Sequence, residues 1–513
     1  TSEREPLLQN SRANMAEKNI GISQQTLVST GDGRKANRFP QYAASLASTM
    51  GALAAGFVIG WTSPAGKDGI NLINDYQLEI SKTEFSWIGS LTTLGAGAIC
   101  IPIGILCDMI GRKKSMLLLV VPFTVGWLLI IFSNSVAMFY AGRFITGVSG
   151  GAFCVTAPMY SAEIAESEIR GTLGSYFQLL LTVGILLTYV LGNYVNMIHL
   201  SIIGAVVPLI FFGIFVFMPE SPTYYLKKGN YEEAKKCMIK FRGSHYDVDT
   251  ELRAQQEAIE ETQRNQVSFV TALQSKATVK ALIIGFGLML FQQLSGVNAV
   301  IFYASDIFQE AGSTLPPNDN AIIVGVIQVI AVFISTLVVD RLGRRILLLS
   351  SEVAMFLTTL ILGIYFYLSQ IGEDISSIGW LPLVSVCLFI ILFSFGFGPI
   401  PWMMMAEIFA PEVKGIAASS ACLFNWLMAF IVTKFYSDMK DAVHTSGTFW
   451  IFSGICAIGV FFIYFLVPET KGKSLDEIQR EFETMLIYQG GKPKNHNIQT
   501  SRLNFLNKRP LAT

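Results

Sequence analysis

Long apolar stretches alternate with short charged segments along most of the chain. Each apolar stretch has about twenty residues, the length that an α-helix needs to cross the ~30 Å hydrocarbon layer of a membrane. The pattern predicts twelve membrane-spanning helices, at residues 42–62, 86–107, 115–133, 138–160, 173–194, 199–218, 280–304, 320–339, 346–369, 380–405, 415–436 and 447–467.

A longer charged segment divides these twelve stretches into two groups of six. The predicted organisation is a polar tail (1–40), a six-helix bundle (41–219), a linker (220–278), a second six-helix bundle (279–468) and a second polar tail (469–513). The linker is rich in strong helix formers, which favours short amphipathic helices. The sequence therefore predicts an all-α membrane protein with two bundles and a short cytosolic helical linker.

Composition agrees with this architecture and excludes a soluble protein. Of the 513 residues, 52% are apolar and 14% are charged, whereas about a quarter of the residues of a soluble domain are charged. The seven cysteines show no disulfide or metal-ligand spacing. No catalytic triad, metal-binding pattern or nucleotide loop is present, so we expect neither an enzyme nor a cofactor or metal.

Basic residues between the spans concentrate on one side of the predicted membrane. Few lie on the other side: Lys67, Lys82, Lys434 and Lys440. The first side carries Arg34, Lys35, Arg38, Arg112, Lys113, Lys114, Arg170, Arg341, Arg344, Arg345, Lys414, Lys471 and Lys473, with most basic residues of the linker. Cytosolic loops carry the excess of Lys and Arg, so both termini and the linker are predicted to be cytosolic.

Three motifs of the first half recur in the second half in the same order. They are Asp108–Lys114 with Asp340–Arg345, Glu163 and Arg170-Gly with Glu407 and Lys414-Gly, and Pro219-Glu-Ser with Pro468-Glu-Thr. Two halves in the same orientation are the parallel repeat found in major facilitator carriers. Their charges predict a gating network of cytosolic ion pairs, although the basic residues could serve only to fix topology. The predicted network comprises Asp108, Arg112, Arg143, Glu163, Arg170, Asp340, Arg344, Arg345, Glu407 and Lys414.

Further motifs resemble the sugar porter branch of the major facilitator superfamily over roughly residues 42–480. These are Gly142-Arg143, Pro219–Pro222, Gln292–Gly296 with Asn298, Gly396–Trp402 and Pro468–Gly472. Within this branch, the sequence is most similar to the insect facilitated trehalose transporters and to the intracellular class of animal glucose carriers. The resemblance implies transport of a sugar by alternating access.

Amides inside the predicted spans support a site for an uncharged, hydroxyl-rich ligand. Gln292, Gln293 and Asn298 are costly within a membrane unless they bind a ligand or each other. The alternative is hydrogen bonding between helices, worth only ~0.6 kcal/mol on average, and Trp402 could simply pack. The resemblance implies that the sugar-contacting residues are Gln178, Gln292, Gln293, Asn298, Gln328, Trp402 and Asn425.

Departures from the family pattern bear on the substrate and on the energy source. Ser394 occupies a position where plasma-membrane hexose carriers often have Glu, and Phe302-Tyr303 stands where two tyrosines are usual. Both changes are compatible with a disaccharide. Proton-coupled relatives carry an Asp in the first span, and the aligned residue is Val58. Glu352, early in the ninth span, is expected to join the network of Arg344 and Arg345.

We therefore expect a facilitative uniporter, with trehalose favoured over a hexose. The alternatives are a proton–sugar symporter, a glucose or fructose facilitator of intracellular membranes, and a sensor that binds sugar without carrying it. In the N-terminal tail, Glu3, Leu7 and Leu8 fit the acidic dileucine pattern read by clathrin adaptors. This pattern predicts a plasma-membrane protein with an endosomal or lysosomal pool.

Overall fold

A computed structural model describes residues 35–264, 269–473 and 477–482, and every regular element in these ranges is helical. The predicted sorting residues Glu3, Leu7 and Leu8 lie outside the described residues. We number the membrane-spanning helices from first to twelfth in chain order. The first six are Phe39–Gly60, Lys82–Ile110, Arg112–Ile131, Val136–Ile164, Arg170–Tyr194 and Met197–Phe215.

The second half contains the other six spanning helices, and several of them are interrupted. The seventh consists of Lys276–Leu294, Val297–Phe302 and Ala304–Ala311, and the tenth of Leu381–Phe395 and Ile400–Ile408. The eighth and ninth are Pro317–Leu342 and Arg344–Gln370. The eleventh and twelfth form one segment, Pro411–Leu466, which turns at His444, where φ is +62°.

Twelve crossings follow from these helices, as predicted. Ten described helices are long and apolar enough to cross a membrane, and one of the ten, Val413–Leu466, holds the turn at His444 and so accounts for two crossings. The fourth helix is not among the ten, but it has 29 residues and is buried between the first, second and third helices. The residue boundaries assigned to the two bundles from sequence remain predictions.

Small residues allow the helices of the first half to approach each other closely. A Cβ added to Gly147 of the fourth helix would lie 2.2 Å from the carbonyl oxygen of Thr92 in the second helix. Glycine is therefore required at this crossing, because helix association in a membrane depends on close packing of backbones. Between the halves, the second helix packs against the eleventh and the fifth against the eighth.

The linker between the halves is helical and docks on the first half. It contains Pro222–Lys227, Tyr231–Arg242 and Val248–Arg264. The buried guanidinium of Arg242 donates to the carbonyl of Ile164 (2.7 Å) and binds Glu251 (2.8 Å). The ion pair holds two linker helices together, and the bond to Ile164 attaches the linker to the end of the fourth helix.

Candidate functional site

The seventh helix breaks next to the amides singled out in the sequence. Its first segment ends at Leu294, and Gly296 adopts φ +91°, a conformation that L side chains rarely adopt. A Cβ at this glycine would also lie 2.6 Å from the Phe452 ring. Both conditions require glycine, and the break tilts the outer segments (Val297–Phe302 and Ala304–Ala311) away from the inner one.

Four of the predicted amides meet at this break and form one hydrogen-bonded cluster. Gln293 Nε2 donates to Asn425 Oδ1 (3.1 Å), and Asn425 Nδ2 donates to Gln292 Oε1 (2.7 Å). Asn298 donates to Gln293 Oε1. Gln292, Gln293 and Asn425 are buried, while Asn298 is partly exposed. The structure therefore joins the seventh and eleventh helices through amides.

The tenth helix is the third helix that contacts this cluster. It is interrupted between Phe395 and Ile400, and Gln292 Nε2 donates to the freed carbonyls of Phe397 (2.6 Å) and Gly398 (3.2 Å). In a membrane, such irregular backbone is tolerated only where protein or water satisfies it. Ser394 is buried, and its hydroxyl donates to the Ile390 carbonyl (2.7 Å), so it does not replace the carboxylate of hexose carriers.

Gln178, Gln328 and Trp402 do not belong to the amide cluster. Gln178 on the fifth helix is partly exposed, Gln328 on the eighth is buried, and Trp402 on the tenth is 38% exposed. Among the described residues, no hydrogen bond to any of these three side chains is recorded. The assignment of these three residues to the sugar site remains a prediction.

The two halves are joined at one end of the molecule, which we call the loop end. It lies opposite the end at which the first helix begins and the twelfth helix ends. Thr62 Oγ1 donates to the Phe302 carbonyl (3.0 Å), and Tyr189 Oη donates to the Ile301 carbonyl (2.6 Å). The hydroxyls of Ser63 and Ser305 are 3.2 Å apart. These bonds close the loop end around the outer segments of the seventh helix.

At the opposite end, the terminus end, fewer side-chain contacts join the halves in the described residues. In the described part of the chain, the contact between halves recorded nearest to this end is that of the Cys100 and Cys422 thiols, 3.2 Å apart. A Cβ at Gly171, Gly174 or Gly415 would meet no atom within 4 Å. The side-chain contacts described between the halves therefore concentrate toward the loop end.

Ion-pair networks occupy the terminus end of each half and follow the sequence repeat. In the first half, Arg112 binds Glu163 (2.8 Å) and Asp108 (3.0 Å). In the second half, Arg344 binds Glu407 (3.0 Å). Lys414 lies close enough to Glu407 to interact with it electrostatically. The side chain of Asp340 is outside the part of the structure that is described.

A second pair of acids, outside the predicted network, binds backbone N–H groups next to the same arginines. Glu220 Oε1 accepts the backbone N–H of Arg112 (3.0 Å), and Glu469 accepts those of Arg344 and Arg345 (3.0 Å each). Burial raises the pKa of Glu469, but these and two further backbone donors outweigh it and hold the pKa below its ordinary value. The signal was present in the repeated Pro-Glu-Ser/Thr motif, where both glutamates follow the last helix of a half.

Two basic members of the predicted network bind backbone carbonyls instead of acids. The Arg170 side chain reaches the Ala165 carbonyl at 3.5 Å, and Arg345 donates to the Tyr464 carbonyl at 2.6 Å. Both remain at the terminus end. Their recorded contacts lie within their own halves.

The placement of Arg143 in this network is wrong. Arg143 lies twenty residues before Glu163 on the fourth helix, or about 30 Å along its axis. Its fully buried guanidinium donates to the carbonyls of Ile88 (3.0 Å) and Val58 (2.8 Å) and lies 5.0 Å from the Trp61 ring centroid. Arg143 therefore ties together the first, second and fourth helices.

The expected contact of Glu352 with Arg344 and Arg345 is also wrong. Glu352 is fully buried, and neither carboxyl oxygen has a hydrogen-bond partner. It lies eight residues beyond Arg344, about 12 Å along the helix. Its side chain faces the interior of the bundle, where a Cβ at Gly459 of the twelfth helix would be 2.1 Å from Oε1.

Comparison with known proteins agrees with this architecture. The family model described as "Sugar (and other) transporter" matches residues 36–482. The Facilitated trehalose transporter Tret1 of Bombyx mori is 43% identical over 439 residues, which cover 86% of both chains. Tret1 of Aedes aegypti is also 43% identical, over 445 residues, but the match spans 86% of this chain and 55% of that longer protein.

Solved structures share the fold at lower identity. The proton:xylose symporter XylE, a member of the major facilitator superfamily, bound to 6-bromo-6-deoxy-D-glucose, matches with a TM-score of 0.71 and 23% identity. The match covers 86% of this chain and 99% of that chain. The predicted twelve-helix major facilitator fold is thereby confirmed, and the chain belongs to the sugar (and other) transporter family of multi-pass membrane proteins.

Proposed function

We propose that this transporter carries trehalose, or else a hexose, down its concentration gradient by alternating access. The observation that carries this proposal is the amide cluster of Gln292, Gln293, Asn298 and Asn425 at the break of the seventh helix. Amides can both donate hydrogen bonds to sugar hydroxyls and accept them, without the cost of burying a charge. Gln178, Gln328 and Trp402 complete the proposed site from the fifth, eighth and tenth helices.

Trehalose is favoured over glucose by two observations. The relatives at 43% identity are named facilitated trehalose transporters. In addition, Ser394 hydrogen-bonds its own helix and offers no carboxylate at the position where hexose carriers have Glu. A serine is also smaller than a glutamate, which leaves more room for a second sugar ring.

The excess of basic residues assigns the terminus end to the cytosol. With this orientation, the described state is closed on the outer side by the contacts between the halves at the loop end. The bonds that close the loop end include neutral hydrogen bonds, each worth about 0.5–1.5 kcal/mol. They are weak enough to break when sugar binding favours the outward-open state.

Transport without proton coupling is supported by the surroundings of Arg143. The aligned position of the missing Asp is Val58, and its backbone carbonyl accepts the bond from Arg143 Nη1 (2.8 Å). Among the described contacts of Arg143, no carboxylate is recorded. A carrier that moves a proton needs a titratable group near its path, and this arrangement supplies carbonyls in its place.

One observation favours the second candidate function, a proton–sugar symporter. Glu352 is a fully buried carboxyl without a hydrogen-bond partner, and burial of a charge without a partner is very costly. Acids within membrane spans mark proton pathways in carriers, so Glu352 is the candidate proton-carrying residue of this second function. Symport predicts that sugar addition acidifies the lumen of proteoliposomes and that Glu352→Gln abolishes this acidification.

Uptake of radiolabelled trehalose, glucose and fructose into cells lacking other carriers tests the main proposal. We expect saturable trehalose uptake that excess unlabelled trehalose competes for, with weaker competition by the hexoses. Sugar should equilibrate without accumulating, and proteoliposomes should show no sugar-evoked pH change. Accumulation above the external concentration, or sugar-evoked acidification, would reject uniport.

The cellular location belongs to the same proposal. The acidic dileucine pattern of Glu3, Leu7 and Leu8 supports plasma-membrane residence with an endosomal or lysosomal pool maintained by a clathrin adaptor. Replacing Leu7 and Leu8 with alanine should increase the surface-biotinylated fraction without changing total protein. An unchanged surface fraction would remove the adaptor from the proposal.

A further inference from the structure

A buried lysine near the loop end of the eleventh helix binds two carboxylates of the seventh helix. Lys440 Nζ lies 3.0 Å from Asp306 Oδ2 and 3.2 Å from Glu310 Oε2. The lysine side chain is 12% exposed and that of Asp306 is 6% exposed. These charges are largely removed from water, so screening weakens them less than it would weaken a surface pair.

Further contacts fix this cluster in place. Thr445 donates to Glu310. The ammonium of Lys440 also lies 5.2 Å from the centroid of the Tyr436 ring, which stacks on Tyr303 of the seventh helix at 5.3 Å. A cation over an aromatic face is attracted to it. The eleventh helix thus holds the outer part of the seventh, Val297–Ala311, through charges and stacked rings together.

The same outer part of the seventh helix closes the loop end against the first half. Here the partners are uncharged: the hydroxyls of Thr62, Ser63 and Tyr189 bind Phe302, Ser305 and Ile301. Hydrogen bonds between ionised groups are roughly twice as strong as those between neutral groups. When the loop end opens, the neutral contacts with the first half therefore break before the charged contacts with the eleventh helix.

We propose that Lys440 is a positioning residue that keeps the outer part of the seventh helix attached to the eleventh helix while the loop end opens. The segment then leaves the first half as one body with the second half. Without Lys440, the segment keeps only weaker contacts with the second half, such as the bond from Thr445 to Glu310, and its bonds to Thr62, Ser63 and Tyr189 hold it against the first half for longer. This inference rests on the proposed carrier cycle and on a loop end that faces outside.

Labelling of a buried loop-end position measures this opening directly. Ala304 is 1% exposed and starts the last segment of the seventh helix. In an Ala304→Cys protein, a membrane-impermeant maleimide added outside reacts only while the loop end is open. Adding Lys440→Met should slow this labelling at least tenfold and lower sugar uptake in parallel, whereas adding Lys440→Arg should preserve both.

Two further variants separate positioning from damage to the fold. The triple substitution Asp306→Asn, Glu310→Gln and Lys440→Met leaves no unpaired charge and should also slow labelling at least tenfold. Lys236→Met, which removes an exposed ion pair of the linker, should leave the labelling rate unchanged. A loosened fold would speed labelling, so faster or unchanged labelling in the Lys440→Met and triple variants overturns the proposal.

A failure of the proposed function has a different signature. If the Ala304→Cys parent takes up no sugar, or if only a membrane-permeant maleimide labels it, then the substrate or the orientation is wrong. Slow labelling of Lys440→Met in a parent that is labelled from outside and transports sugar supports the role of Lys440. The parent lacking the introduced cysteine corrects for the seven native thiols.

Discussion

Four amides of the second half are hydrogen-bonded to one another. Gln292 is held most firmly, since its side chain also reaches the carbonyls of Phe397 and Gly398. Asn298 is partly exposed and is bound to the cluster through Gln293. Sugar hydroxyls can replace these weak neutral bonds at small cost, because amides exchange one hydrogen-bond partner for another. In the proposed function, interhelical hydrogen bonding and sugar binding are therefore two states of one cluster.

Replacing either Gln293 or Asn298 with alanine should lower the apparent affinity for sugar about tenfold. A lost hydrogen bond is worth about 0.5–1.5 kcal/mol, and ~1.4 kcal/mol corresponds to a factor of ten. The measurement is concentration-dependent uptake, normalised to the amount of protein at the cell surface. Gln274→Ala, which removes an exposed amide before the seventh helix, is the control. Transport that is unchanged in both variants would reject the site.

Residue types identified the members of the amide cluster more reliably than they identified the partners of charged groups. Polar amides inside apolar spans stand out in any sequence, and four of the seven predicted contacts form one cluster. Charges stand out equally, but their partners depend on depth along the helix. A count of residues places Arg143 about 30 Å from Glu163, so helical geometry could have corrected that error. The face on which Glu352 lies could not be read from its neighbours.

At the scale of secondary structure, breaks in the seventh and tenth helices bring the amides and free backbone carbonyls together. The apolar pattern predicted the spans, including the two whose interruption creates the amide cluster. It could not give the conformation at Gly296, because φ depends on the packing of Phe452 from the distant twelfth helix. It also placed a loop between the eleventh and twelfth helices, where the structure has a single turn at His444.

Gly296→Ala should disrupt transport, because an added Cβ meets both a left-handed φ and the Phe452 ring. Backbone strain of this kind costs about 1–3 kcal/mol, and the contact adds to it. Gly312→Ala is the matched control: φ is +60°, but no atom lies within 4 Å of the new Cβ. In thermal unfolding, Gly296→Ala should lower the unfolding temperature more than Gly312→Ala does.

Phe452→Ala should then recover part of the stability that Gly296→Ala loses, since it removes the ring that the new Cβ meets. Equal unfolding temperatures for the two glycine variants would show that the ring contributes nothing to the break. Failure of Phe452→Ala to improve Gly296→Ala would point to the backbone strain alone.

At the scale of the molecule, the repeat provides symmetry and the site departs from it. Each half has an arginine–glutamate pair and a second glutamate that accepts backbone N–H groups at the terminus end. Such matched networks let each half behave as a rigid body. The amide cluster and the broken seventh helix belong to the second half alone. The two halves therefore have matching ion-pair networks, while the second half supplies most of the proposed sugar-binding residues.

Movement of the halves about a central site predicts that a covalent link at the loop end stops transport. The hydroxyls of Ser63 and Ser305 are 3.2 Å apart and belong to opposite halves. A disulfide between Ser63→Cys and Ser305→Cys would hold the outer part of the seventh helix against the first half. Oxidation should lower uptake at least tenfold, and a reductant should restore it.

The chain offers a matched control for this link within one half. Ser45 and Ser161, on the first and fourth helices, have hydroxyls 2.9 Å apart. Because both helices belong to the first half, a disulfide between Ser45→Cys and Ser161→Cys joins parts that move together, and uptake should survive oxidation. Each single-cysteine variant reports the effect of the native thiols.

If the Ser63–Ser305 pair is cross-linked, as shown by a gel shift, and uptake continues, then the loop end does not open during transport. Such a result would require a sugar path that avoids the seventh helix.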